Sequence, residues 1–108
     1  MIMGENFQNP FGPSVIEKVA ASLQRGIETV GGTLTLTSEL FYFKPHPINI
    51  QSKPLELRMS DIVRVESTKT FGFIPNRFRI TLKSGKQHSL IVFKRDEIVA
   101  YIQQHIRT

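Results

Sequence analysis

Apolar and polar residues alternate along most of the chain. Threonines separate Leu34 from Leu36, and the same period of two returns in several short runs bounded by turn residues. These runs are residues 33–37, 40–43, 55–59, 62–67, 77–83 and 87–93. A period of two predicts strands that bury one face, and Ser84-Gly85 supplies a tight turn between the last two runs. The chain is therefore predicted to be mainly β.

Residues 14–30 support two predictions that conflict. Ser14 and Glu17 match a capping box, which predicts a helix that begins at Ser14. The apolar residues on one face of that helix are Val15, Ile16, Val19, Ala20 and Leu23. Gly31-Gly32, however, matches a two-residue hairpin turn, which needs an extended partner over residues 21–29. We give the hairpin priority, so any helix ends near Ala20.

Two segments fall outside the alternation. Residues 1–13 are rich in Asn, Gly and Pro without a sustained period, which is typical of a flexible tail before a single domain at residues 14–108. Pro45 and Pro47 each remove a backbone donor from a strand ladder. Residues 44–54 are therefore predicted to form a loop.

The period changes to that of a helix at the C-terminus. The apolar face consists of Ile98, Tyr101, Ile102, His105 and Ile106. Asp96 and Glu97 occupy the first turn, where the helix dipole favours acidic side chains. One amphipathic helix after about seven strands is suited to closing the open end of a small sandwich or barrel.

Composition narrows the class of protein. A chain of 108 residues is long enough for one self-sufficient core. The absence of cysteine excludes disulfides and cysteine zinc sites. No secretory signal pattern is visible, and no apolar run approaches the ~20 residues that span a bilayer. We expect a cytoplasmic protein without a transmembrane segment, which meets a membrane only as a peripheral protein.

The charge is positive and unevenly distributed. The net charge is +5 and the pI about 9.9, and residues 68–95 contain seven basic side chains and no acidic one. A basic surface favours nucleic acid, an anionic membrane or an acidic protein. Any anion-binding surface is therefore predicted to lie in the second half of the chain.

The run at residues 77–83 carries much of this charge. Alternation assigns Phe78, Ile80 and Leu82 to the core, and it exposes the residues between them: Arg77, Arg79, Thr81 and Lys83. Arg64 joins this exposed face from the preceding strand, where Glu66 is placed to neutralise a cation. Two interpretations stay open, an anion-binding face and a sheet surface that charge protects from aggregation.

Phe71-Gly72-Phe73-Ile74-Pro75 forms an apolar loop in this basic half. The loop either covers an end of the barrel or stays exposed, and we prefer the cover because large exposed apolar patches are infrequent on monomers. An exposed loop near Lys69 would suit an anionic membrane or a protein partner. The residues predicted to make such a contact are Arg64, Lys69, Phe71, Phe73, Ile74, Arg77, Arg79 and Lys83.

Candidate catalytic chemistry is sparse. His46, His88 and His105 lack the spacing of metal ligands. No nucleophile elbow or phosphate-binding glycine loop is present in the sequence. We therefore predict a binding protein without catalytic activity, metal or cofactor.

Several segments together resemble the GRAM domain, a member of the pleckstrin-homology-like superfamily. The resemblance rests on residues 32–37 (GTLTLT), 41–46 (FYFKPH), 61–66 (DIVRVE) and 93–97 (FKRDE). It implies two nearly orthogonal antiparallel sheets of seven strands in all, with the C-terminal helix plugging one end. It also implies a non-catalytic module that binds membrane lipids or proteins.

In related pleckstrin-homology domains the lipid headgroup lies among basic residues around the loop between the first two strands. That loop is predicted here at residues 28–33, where Arg25 is the one nearby cation. The predicted partners are therefore an anionic membrane surface, contacted elsewhere on the domain, or a protein. Nucleic acid is the alternative, because phenylalanines among basic residues can stack on bases. The assignment of Phe78 to the core and the lack of a nucleic-acid motif disfavour it.

Overall fold

The computed structural model describes residues 15–47 and 53–106. The flexible tail predicted at residues 1–13 and part of the loop predicted at residues 44–54 lie outside these ranges. The elements are β1 (Ile16–Arg25), β2 (Glu28–Leu36), β3 (Leu40–Pro45), β4 (Leu55–Arg58), β5 (Ile62–Thr70), β6 (Ile74–Leu82), β7 (Gln87–Val92) and α1 (Arg95–Ile106). A 3₁₀ turn, Met59–Asp61, joins β4 to β5.

All seven strands form one antiparallel sheet in the order β4-β3-β2-β1-β7-β6-β5. The pairing of β1 with β7 joins the first four strands to the last three, with Ala21 opposite Val92 and Leu23 opposite Leu90. The sheet curls into a half-barrel, and α1 packs against β5 and β6. The predicted architecture of seven antiparallel strands closed by a C-terminal helix is confirmed.

The core lies between the concave face of the sheet and α1. Phe41 and Phe78 meet edge to face, with their ring centroids 6.5 Å apart, and Phe43 is fully buried beside them. The buried residues of α1 are Ile98, Val99, Tyr101 and Ile102. Each buried apolar side chain of this size contributes roughly 2 kcal/mol by leaving water, so the helix is an integral part of the core.

The helix predicted from Ser14 is wrong in the described residues, because β1 already begins at Ile16. Between Ile16 and Val19, two residues of β1 oppose one of β2, which makes a β-bulge, and Lys18 within it has φ +53°. The bulge lets Ile16 and Val19 pack on the same side of the strand although they are three positions apart. The bulged strand therefore places apolar residues at the same three-residue spacing as a helix would.

The hairpin turn is Gly26-Ile27, and the turn predicted at Gly31-Gly32 is wrong. Arg25 pairs with Glu28 around a two-residue loop, and Gly26 has φ +62°, which glycine adopts without strain. Gly32 lies inside β2, where a Cβ would meet the Lys44 carbonyl oxygen and approach Phe43 Cζ to 2.8 Å. Its glycine is explained by the close approach of β3.

Two local predictions near the sheet edges also need correction. Pro45 belongs to β3 and pairs with Gly32 of β2. The ladder between β3 and β4 ends at Phe43, so the N–H that proline lacks costs no hydrogen bond to β4. Phe78 and Ile80 are buried as predicted, but Thr81 is buried too. Its hydroxyl accepts a 3.2 Å hydrogen bond from the Gln87 side-chain amide, so it needs no contact with water.

Candidate functional site

The loop between β5 and β6 is exposed. Phe71 is 83% and Phe73 71% accessible to solvent, so the preferred prediction of a cover over the barrel is wrong. The core is already filled by three buried phenylalanines and by α1. The turn is instead closed by polar bonds, in which the Phe73 N–H donates to the Thr70 carbonyl at 3.2 Å. Ile74 begins β6 and is half-buried.

A buried arginine holds the base of this loop. The Arg95 guanidinium donates from Nη1 to the Thr68 carbonyl at 2.7 Å and to the Arg77 carbonyl at 3.0 Å. The side chain of Arg95 is 10% exposed. Thr68 and Arg77 are paired across β5 and β6, so one side chain from the start of α1 fixes both strands. The Thr70 hydroxyl bonds the Asn76 side-chain oxygen at 2.6 Å just above.

The loop backbone directs its rings outward. Phe71 has φ +55° and the following Gly72 has φ +81°. A left-handed conformation is uncommon for an aromatic residue and costs roughly 1–2 kcal/mol. The Arg95 bonds and the left-handed turn define the path of the loop backbone in the absence of a partner. The two rings are therefore presented to solvent from a defined backbone.

Phe93 belongs to the same end of the sheet. Arg77 pairs with Ile91 on β7, and continuing that register brings Pro75 beside Phe93, both of which line one groove. Phe93 is 68% exposed, and the Lys94 ammonium lies 5.8 Å from the centroid of its ring. The aromatic end is defined here as Phe71, Phe73 and Phe93 together with Lys69, Arg77 and Lys94.

The other predicted cations lie along the outer face of β5 and β6. Arg79 bonds Glu66 at 3.1 Å, which is the cross-strand neutralisation expected of Glu66. Lys83 lies 4.0 Å from Asp61, and Arg64 is exposed on β5. The structure therefore brings Lys69 and Arg77 to the phenylalanine loop, while Arg64, Arg79 and Lys83 follow the strands away from it. The sequence analysis assigned Phe93 to a strand and did not include it among the predicted contact residues.

A second basic cluster lies at the opposite end of β6. Arg25 from the β1–β2 turn, Lys53 before β4 and Lys86 before β7 line one pocket, whose lining residues include no acid. The Arg25 guanidinium donates to the Lys53 carbonyl at 2.6 Å. Ile27 beside Arg25 is 100% exposed at the tip of the hairpin. The basic end is defined here as Arg25, Ile27, Lys53 and Lys86.

The electrostatics of the basic end act on His88, which also lines this pocket. Partial burial lowers the pKa of the His88 imidazole below its ordinary value, and the positive charges of Lys86 and Arg25 lower it further. The prediction that Arg25 is the one cation near the first hairpin is wrong, because the pairing of β1 with β7 brings Lys86 to it. No local sequence pattern signals this approach.

Other chemistry is limited in the parts of the chain that the structure describes. Residues 15–47 and 53–106 contain no group of three metal-ligating side chains close enough to share an ion. His105 is occupied structurally, since its Nδ1 lies 2.8 Å from the Tyr101 carbonyl and its ring stacks on Tyr101. The one described helix, α1, is too short to cross a membrane.

Comparison with solved structures identifies the fold. A C-terminal domain of an unknown protein from Leishmania infantum is 12% identical, covers 96% of this chain and 94% of its own, and has a TM-score of 0.73. The N-terminal PH domain of human ARAP2 is 12% identical over 87% of this chain and 80% of its own, with a TM-score of 0.65. The Slm1-PH domain in complex with inositol-4-phosphate is 10% identical over 89% and 97%, with a TM-score of 0.59.

Comparison of the sequence itself gives the family. No curated protein matches the chain. The profile of the GRAM domain matches residues 3–108, which is nearly the whole sequence. This match shows that the chain, whose fold is that of its PH-domain neighbours, belongs to the GRAM domain family.

Proposed function

We propose that this domain is a non-catalytic module that binds anionic membrane surfaces reversibly through its aromatic end. The main support for this proposal is that Phe71 and Phe73 are exposed. Their loop has a left-handed backbone at Phe71 and Gly72, and the buried Arg95 side chain bonds the strand at its base. Lys69 lies on β5 before this loop and Arg77 on β6 after it, and Lys94 lies 5.8 Å from the ring centroid of Phe93 at the same end. Apolar rings enter the region between headgroups and acyl chains, while adjacent cations attract anionic lipids.

The expected affinity is modest. Partial burial of each ring contributes roughly 1–2 kcal/mol, and each cation near an anionic surface contributes about 1 kcal/mol. Two or three rings and three cations therefore give on the order of 6 kcal/mol, which corresponds to weak and reversible binding. A module of this kind requires anionic lipid, and the cytoplasmic leaflet is where such lipid is abundant. We therefore place its action at the cytoplasmic face of a membrane.

The family assignment supports this proposal at a coarser level. The Slm1-PH domain, a structural neighbour, was solved with inositol-4-phosphate, which is the headgroup chemistry of an anionic lipid. That domain shares 10% identity with this chain, so its binding residues do not transfer. The choice of the aromatic end therefore depends on the exposure and charge of this chain's own residues.

The chain contains no tryptophan, so a single introduced tryptophan reports its own surroundings. We would compare Phe73→Trp at the aromatic end with Val63→Trp, which replaces an exposed side chain on the β5 bulge. Vesicles would contain phosphatidylcholine alone or with about 30% phosphatidylserine, at about 0.15 M salt. We expect a blue shift and quenching by brominated lipid for Phe73→Trp with anionic vesicles, and neither for Val63→Trp.

Co-sedimentation with the same vesicles would show whether binding occurs at all. An unchanged Phe73→Trp spectrum on vesicles that do sediment the protein would move the contact to another surface. Absence of sedimentation with anionic vesicles would reject the membrane and leave a protein partner for the aromatic end. Thermal melts of both variants are expected to match the original protein, because both positions are exposed.

A further inference from the structure

We infer that the domain bridges two anionic bilayers, one at the aromatic end and the other at the basic end. The inference rests on the proposed function for the aromatic end, and it adds a second membrane contact and a new activity, the clustering of membranes. Both ends combine exposed apolar side chains with several cations. Their positions on the sheet determine whether one bilayer or two can be engaged.

The two ends lie at opposite ends of one strand. β6 runs from Ile74, which follows the phenylalanine loop, to Leu82, just before the turn that bears Lys86. Nine residues of strand span roughly 26 Å. The β1–β7 register places Leu23 opposite Leu90, so Arg25 and Ile27 extend toward the same end as Lys86. A bilayer that receives the aromatic rings therefore lies a strand length away from Ile27.

The basic end has the chemistry of a membrane contact in its own right. Three cations from separate parts of the chain line its pocket, and Glu28, which begins β2 and pairs with Arg25, is not among the lining residues. Arg25 is held in place by its bond to the Lys53 carbonyl. Ile27 extends beyond these cations as a fully exposed apolar tip. His88 lines the same pocket; partial burial lowers the pKa of its imidazole most, and the charges of Lys86 and Arg25 lower it further.

One bilayer that lies along the strand is a poorer arrangement. On the outer face between the two ends, Arg79 is paired with Glu66 and Thr81 bonds Gln87. A flat orientation would therefore place polar, internally satisfied groups on the lipid and leave the apolar tips at its margins. The ends are also electrically independent, because a separation of roughly 26 Å exceeds the Debye length of about 8 Å at physiological salt.

The test measures clustering of vesicles by dynamic light scattering together with binding by co-sedimentation. The vesicles contain phosphatidylcholine with about 30% phosphatidylserine. The aromatic-end variant is Phe71→Ser/Phe73→Ser, the basic-end variant is Lys53→Glu/Lys86→Glu, and Val63→Ser is the matched control. All five positions are exposed, and thermal melts would verify that each variant is folded.

We expect the original protein and Val63→Ser to cluster vesicles. Each end variant should still sediment with vesicles but cluster them at least about tenfold more slowly, because each retains one contact. A mixture of the two end variants should also fail to cluster, because no single chain in it has both contacts. Clustering by the mixture would mean that chains associate with one another, and it would overturn the inference.

The remaining outcomes separate this inference from the proposed function. Binding of the original protein without clustering at any ratio of protein to lipid overturns the bridge and leaves the aromatic contact intact. Full binding and clustering by Phe71→Ser/Phe73→Ser overturns both, because the aromatic end then contributes nothing. Loss of all binding in that same variant, with none lost in Lys53→Glu/Lys86→Glu, overturns the bridge alone.

Discussion

Backbone strain is concentrated where the rings are exposed. In the described parts of the chain, three residues other than glycine have positive φ, and these are Lys18, Phe71 and Lys94. Lys18 belongs to the bulge of β1, whereas Phe71 and Lys94 both lie at the aromatic end. Strain that persists in a folded protein is often linked to function. A residue better suited to this backbone should therefore stabilise the fold and weaken binding.

Replacing Phe71 tests this trade between stability and binding. Asparagine adopts the left-handed region more readily, so Phe71→Asn should raise the free energy of unfolding by about 1 kcal/mol. It should also weaken binding to anionic vesicles. Phe73→Asn is the matched control, because Phe73 is exposed without positive φ and should lose binding without gaining stability. Urea denaturation measures the difference, and equal stability of the two variants would contradict the role of strain.

The two adjacent glycines of β2 should differ sharply in their tolerance of a methyl group. A Cβ at Gly32 approaches Phe43 Cζ to 2.8 Å, whereas a Cβ at Gly31 meets the His46 ring at an ordinary 3.5 Å. Gly32→Ala should therefore lower the free energy of unfolding by about 3 kcal/mol, and Gly31→Ala should change it by less than about 1 kcal/mol. Thermal melts of both variants provide the comparison, and similar melting temperatures would mean that β3 moves to relieve the contact.

At the level of elements, the strands that alternate regularly and the C-terminal helix were predictable from local pattern. β1 was not, because its bulge gives Ile16 and Val19 the spacing of a helical face. β6 begins at Ile74, earlier than predicted, because the turn before it takes only three residues. The exposure of the phenylalanine loop was equally undetermined by the sequence, since the same apolar letters suit a buried cover. The exposure of the loop depends on the polar clamp beneath it, in which Arg95 bonds the carbonyls of Thr68 and Arg77.

That clamp makes Arg95 a link between α1 and the β5–β6 hairpin. Arg95→Lys keeps the charge but loses the planar guanidinium that reaches both carbonyls. Loss of the guanidinium bonds to these partly buried oxygens should cost about 2 kcal/mol of stability. Amide exchange should accelerate at residues 68–77 in particular. Asp96→Asn is the control, because Asp96 bonds the same guanidinium from an exposed position, and this variant should change amide exchange little. Acceleration of exchange throughout the chain in Arg95→Lys would contradict a local clamp.

At the scale of the whole molecule, function depends on which loops the fold brings together. Lys53 and Lys86 are far apart in sequence, and both approach Arg25 because β7 pairs with β1 and β4 with β3. Long-range pairing of this kind leaves no periodic trace, so the basic end was beyond prediction from local pattern. The aromatic loop, by contrast, is contiguous in sequence, and its residues could be proposed before its exposure was known.

The short junction between β1 and β7 gives the basic end a further property. Three paired positions join the two halves of the sheet there, with Arg25 and Lys53 on one half and Lys86 and His88 on the other. An anion held between these side chains would cross-link the halves at their narrowest connection. Separation of the halves would then require release of the anion first. The two halves of the domain would consequently take longer to separate under a mechanical force with the anion bound than without it.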